Sequence, residues 1–176
     1  EINMINKKNQ ITLEEKQELE ARRKESALKT MYYTRYFSVR YATAAFFFVN
    51  LYWTLMLHLS NARLAMMLPM AVALFAALAM WEQTRMYTIN QREAKLTKLF
   101  YGISLSLNVL LILLVLLNRF SLLYPFFTAS SATQVFLILI LSVGILLNLL
   151  MLVKLNRISH RADKQYKRIQ KYMASL

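Results

Sequence analysis

Apolar side chains fall into four long blocks, at residues 41–59, 64–81, 99–117 and 133–153, separated by polar segments that carry the Lys and Arg. A helix needs about 20 mostly apolar residues to cross a hydrocarbon core about 30 Å thick, and each block meets that length. Burial inside a soluble core is the alternative, but a chain of 176 residues is too short to bury four such helices. The pattern therefore predicts an all-α polytopic membrane protein, with four transmembrane helices paired as two antiparallel hairpins. A charged helix is expected over residues 1–40, the transmembrane domain over 41–155 and a basic amphipathic helix over 156–176. The first block does not read as a cleaved signal peptide, because a long polar stretch precedes it and no small-x-small motif follows.

The polar segments add detail. Thr12-Leu13-Glu14-Glu15 has the form of a capping box and predicts a helix start at Thr12. Acidic residues then give way to basic ones, which suits the helix dipole. The very short connection at residues 60–63 predicts a tight turn between the first two spans. Six alanines in the second span favour close helix approach, and Pro69 is a site for a kink. Residues 82–98 are polar and predicted to be helical in part. The Tyr- and Phe-bearing run at 122–127 predicts a segment lying along the outer membrane interface, with a ligand-binding lid as the sharper but weaker reading. Neither Gly nor Pro occurs after Gly144, so span four is expected to run on as a helix. If it continues from Thr133 to Tyr172 it is about 60 Å long.

Lys and Arg number nine, one, four, one and seven in the five successive segments outside the spans. Cytoplasmic loops carry the excess of these residues, so both termini are expected on the cytoplasmic side, in a membrane of bacterial type. The same distribution accounts for the net charge of +13 without a nucleic-acid partner. In the tail, Ile158, Ala162, Gln165, Ile169, Tyr172 and Leu176 follow heptad spacing. Beside them runs a basic stripe of Arg157, Arg161, Lys164, Lys167, Arg168 and Lys171, expected to meet anionic lipid headgroups or a partner protein.

Composition narrows the chemistry. At 57% hydrophobic and 18% charged, the chain departs from the about 45–50% and 25% of soluble domains. With no Cys, two Gly and two His, it offers no disulfide, thiolate, phosphate-binding loop or histidine-rich metal site. No catalytic residue, metal ligand or cofactor is expected. His58 and His160 fall on opposite sides of the membrane, and Asp163 near His160 is expected to make a surface ion pair or hydrogen bond.

No Asp or Glu lies within a span, which argues against transport coupled through a membrane carboxylate. The polar groups that share helix faces within the spans include Thr43, Asn50, Thr54 and His58 on span one, Ser104 and Asn108 on span three, and Asn148 with Gly144 on span four. They are expected to hydrogen-bond between spans one, three and four, with a polar groove for a solute or partner helix as the alternative. The functional expectation is a non-enzymatic accessory, regulatory or assembly subunit that binds a larger membrane protein complex. The alternative is a small homo-oligomeric channel or transporter using the polar face of span one.

Overall fold

The computed structural model describes residues 2–86 and 93–175, with side chains described from Leu13 onward. All of its regular structure is helical: α1 (Ile2–Arg35), α2 (Phe37–Leu59), α3 (Arg63–Thr84), α4 (Lys95–Leu116), a single 3-10 turn (Phe120–Leu122), α5 (Ser131–Ser159) and α6 (Lys164–Ala174). Four of these helices are long and apolar enough to cross a membrane, and each coincides with one of the four apolar blocks, the third block running one residue past α4. At most 28% of the most apolar stretch of any of them is buried within the chain. The remaining apolar surface therefore has to be covered by lipid or protein.

Helix α2 packs chiefly on α3, and α4 on α5. Buried Ala73, Ala76 and Ala79 give α3 a face without bulk, which lets its backbone come close to its neighbours. The interior forms two apolar clusters. One, at the end where α1 and α6 join the bundle, includes Val39, Ala79, Phe100, Tyr101 and Leu155. The other, at the far end, includes Trp53, Leu57, Val115, Phe120, Tyr124 and Leu137. Pro69 is buried inside α3, and the helix continues through it.

Three helices end in the same way. Asn61, Asn118 and Arg161 have φ of 56°, 57° and 53°, the left-handed conformation. In each case the residue and its successor return paired hydrogen bonds to the preceding turn: Asn61 to His58 and Ala62 to Leu57, Asn118 to Val115 and Arg119 to Leu114, Arg161 to Ile158 and Ala162 to Arg157. These are Schellman motifs built without glycine. Asn tolerates this conformation, whereas Arg adopts it at a cost of about 1–2 kcal/mol.

That last turn corrects the expectation of a continuous tail. Span four does not reach Tyr172 as one rod. Its helix stops at Ser159, and Asp163 caps a new helix by accepting a hydrogen bond from the Tyr166 N–H at 3.2 Å. The heptad seam is broken between Ile158 and Lys164, leaving Ala162 exposed, and Leu176 lies outside the described residues. The start of α1 also differs from expectation. The helix is already formed at Ile2, since no Gly or Pro precedes Thr12 to stop it, and the Thr12 side chain is outside the described set.

What holds the tail is an ion pair. Arg35, the last residue of α1, is fully buried and binds Asp163 through two hydrogen bonds, from Nε at 2.8 Å and Nη2 at 2.5 Å. Its Nη2 also donates to the Ile158 carbonyl at 3.0 Å. The guanidinium carbon stands 5.2 Å from the centre of the Tyr166 ring. One side chain thus ties together α1, the end of α5 and the start of α6. Asp163 does make an ion pair, but a largely buried one with a residue 128 positions away. Helix α6 packs on α1 and buries Ile169 completely, while Lys164, Lys167, Arg168 and Lys171 remain exposed.

Asp163→Asn keeps an acceptor for the helix cap but leaves Arg35 as an uncompensated buried charge. Removing one partner of a buried pair costs about 3–5 kcal/mol. Hydrogen exchange should show protection lost across α6, including Ile169, with the span helices little changed. Unchanged protection in α6 would show that something other than this pair holds the tail.

Candidate functional site

The intramembrane polar residues separate into three places. At the end bearing α1 and α6, Thr43 is fully buried in a network that joins three helices. Its hydroxyl lies 2.8 Å from the Tyr101 hydroxyl and accepts from Gln83 Nε2 at 3.0 Å. Tyr101 also reaches the Val39 carbonyl at 3.0 Å. Gln83 Nε2 approaches the Thr97 hydroxyl at 3.4 Å, and Thr97 donates to Glu82 Oε2 at 2.8 Å.

Glu82 is the residue that closes this end. Ala94, at the start of α4, has no side-chain acceptor for the orphan amides of the first turn. The Glu82 carboxylate, carried by α3, accepts from the Leu96 N–H at 3.0 Å and the Thr97 N–H at 2.7 Å. A carboxylate at a helix N-terminus is also favoured by the helix dipole. Arg40 donates to the Gln83 carbonyl at 2.6 Å, which occupies an acceptor near the end of α3. Nearby, burial raises the Tyr36 phenol above its ordinary pKa, and the neighbouring Arg35 charge offsets this in part.

Halfway along the bundle, Asn50, Ser104 and Asn108 border one cavity together with Gly144. Asn50 donates to the Phe46 carbonyl of its own helix at 2.8 Å. Asn148, one turn beyond Gly144, is completely buried, and neither its side-chain nitrogen nor its oxygen has a hydrogen-bond partner. Among the described residues, no hydrogen bond joins Asn50, Asn108 or Asn148 to another span. The interhelical bonding expected of these amides is supplied instead by Thr43, Tyr101, Gln83, Thr97 and Glu82.

The third place is the outside of α2. Thr54 is half-buried and bonds its own helix through the Asn50 carbonyl, and His58 is exposed on a groove shared with Met66 of α3. The polar face of span one therefore divides. At about 100° per residue, Asn50 stands roughly 20° from buried Val39 around the helix, Thr54 about 60° and His58 about 100°. Spacing alone grouped all four, but the drift carries the last two out of the core.

At the far end, within the run expected along the outer interface, Tyr124 is buried against the bundle while Leu122 stays exposed, and Phe120 just before the run is buried too. Trp53 of α2 donates from Nε1 to the Leu123 carbonyl at 3.0 Å and stacks on Tyr124 at 5.0 Å with an interplanar angle of 9°. Burial pushes the Tyr124 phenol well above its ordinary pKa. Trp53, Tyr101, Gln83 and Glu82 are the structural residues that sequence reading passed over. Tyr101, Gln83 and Glu82 stand near span ends, where an aromatic or polar residue looks like an interfacial anchor, and Trp53 stands within α2.

Among the described residues there is no group of His, Asp or Glu able to hold a metal ion. Comparison of the chain with known protein families, with curated proteins and with solved structures gives no match.

Two substitutions have opposite expected signs. Tyr101→Phe removes the hydroxyl that binds Thr43 and Val39 and should destabilise the bundle by about 0.6–1.7 kcal/mol. Asn148→Leu replaces an unsatisfied buried amide, a group that costs about 1–3 kcal/mol, and should stabilise. Thermal unfolding in detergent measures both, and a destabilised Asn148→Leu would show that this amide has a partner.

Proposed function

We propose that this protein is a non-enzymatic accessory or assembly subunit that docks on a larger membrane protein, with its four spans arranged as two antiparallel hairpins and both termini in the cytoplasm. The observation that carries this reading is the closure of the bundle at both ends around an uncharged interior. The network from Thr43 to Glu82 seals one end and the Trp53–Tyr124 stack the other. No charged side chain lines the cavity between them. A pore needs a continuous wet path lined by polar or charged groups, and a bundle of this kind provides none within one copy.

The exposed features support docking. Large apolar side chains cover the outside of all four spans, including Phe48, Leu74, Leu113 and Leu139. Arg35 fixes the two terminal helices to each other, so they form a rigid cytoplasmic platform instead of loose tails. The platform presents Lys164, Lys167, Arg168 and Lys171 toward anionic headgroups or an acidic partner surface.

The absence of Cys makes orientation directly testable. Single cysteines at Ser26 and Ser175 should react with an impermeant maleimide only from the cytoplasmic side, and one at Asn61 only from the opposite side. In mild detergent the native protein should migrate with a larger membrane protein that cross-links to its spans. A homogeneous homo-oligomer that conducts solute in liposomes would replace this reading with the channel.

A further inference from the structure

Between its two apolar clusters the bundle encloses a cavity of about 220 Å³. An apolar cavity of roughly 150 Å³ is enough to take up benzene. Phe46, Trp53, Tyr124, Phe126, Phe127 and Phe136 supply much of its wall. The exposed lining residues are Val49 (61%) and Tyr52 (60%) on α2, with Phe136 (48%) and Ile140 (49%) on α5. The other lining residues are buried or half-buried. The mouth therefore opens sideways between α2 and α5, at the depth of the spans, and an entering molecule comes from the lipid.

Several polar groups on this wall are unused, whereas Asn50 Nδ2 and Trp53 Nε1 are bonded. Ser104 is 5% exposed, and its hydroxyl has no hydrogen bond among the described residues. The buried hydroxyls of Thr43, Thr97 and Tyr101 are all bonded. The Asn108 amide, the Tyr124 hydroxyl and Asn50 Oδ1 are likewise without partners, Asn50 using only its nitrogen. A Cβ at Gly144 would stand 2.8 Å from Asn108 Nδ2, so glycine at this position leaves room for the amide. None of these four atoms is fully enclosed, so each is open to an incoming molecule, and four such groups on a single apolar wall match the few convergent polar groups of a ligand pocket.

We infer that this cavity binds a neutral, membrane-soluble molecule with a planar ring bearing hydroxyl or carbonyl oxygen, of the phenol or quinone type. Neutrality follows from the uncharged wall, since an ion buried there would lack a partner. A planar ring suits the aromatic faces, which favour offset or edge-on ring contacts. Ser104, Asn108 and Tyr124 supply donors for a carbonyl or phenolic oxygen, and Asn50 Oδ1 accepts from a hydroxyl. Any alkyl chain leaves through the lateral mouth past Val49 and Ile140. The inference does not depend on whether the protein docks on a larger complex.

The test uses the full chain in phosphatidylcholine nanodiscs and a diazirine-bearing para-alkylphenol photoprobe. Labelling should saturate and map to residues 104–111 and 124–141. Excess para-decylphenol or decyl-benzoquinone should abolish it, whereas dodecane should not. Ser104→Ala, which removes one hydroxyl and little volume, should raise the half-saturating concentration by about three- to twentyfold. Gly144→Leu should fill the cavity and block labelling. Non-saturating labelling, equal competition by dodecane, or wild-type affinity in Ser104→Ala would each overturn the assignment, and the first two are read on the unmodified protein.

Discussion

In a hydrocarbon slab no water is present to satisfy polar groups, and an unpaired backbone or side-chain group there costs several kcal/mol. This constraint organises the molecule. The backbone satisfies itself along four helices, and the most polar side chains collect where helices begin and end. Glu82 is the clearest case: its carboxylate sits at the end of α3 and covers the amides that α4 leaves open at Leu96 and Thr97. Arg35 follows the same rule in most of its groups just beyond the spans, where Nε and Nη2 of the buried guanidinium meet the Asp163 carboxylate and the Ile158 carbonyl beside the Tyr166 ring, and Nη1 alone is left without a partner.

Such an arrangement divides the bundle into regions held by different contacts. The end with α1 and α6 is cross-linked by the network of Thr43, Tyr101, Gln83 and Thr97 and by the Arg35 pair. The far end is closed by stacking, with Trp53 holding the segment after α4 against α2. Between them lies the cavity, where packing is incomplete and several polar groups are idle. Close packing is the usual state of a protein interior, so a gap flanked by two well-packed clusters and lined by unused donors marks the part of the fold not shaped by stability alone.

Reading residues one at a time misjudged those whose roles depend on distant partners. Asn50, Asn108 and Asn148 looked like interhelical bonds because an amide in a span needs a partner, yet Asn50 returns to its own helix and Asn148 finds none. Tyr124 looked like an interfacial anchor because Tyr and Phe favour that layer, but the Trp53 ring offers it a better surface inside the bundle. The tail looked continuous because nothing in it forbids a helix. Arg161 takes the left-handed conformation that ends α5, at a position where the Arg35–Asp163 pair fixes the next helix.

The apolar blocks and the periodic placement of Lys and Arg are enough to foresee four helices of spanning length, because the hydrocarbon core imposes a length and a composition that any single segment must meet by itself. Four of the buried polar groups, Thr43, Asn50, Ser104 and Asn148, were likewise legible in the sequence, whereas Arg35, Gln83 and Thr97 were not. Which of those groups meet is a different matter. The pairing of Arg35 with Asp163, the cap that α3 lends to α4 and the cavity beside Gly144 each depend on residues 14 to 128 positions apart being brought within hydrogen-bond or van der Waals distance. Only helix packing creates those encounters, since local sequence carries no record of a neighbour supplied from another part of the chain.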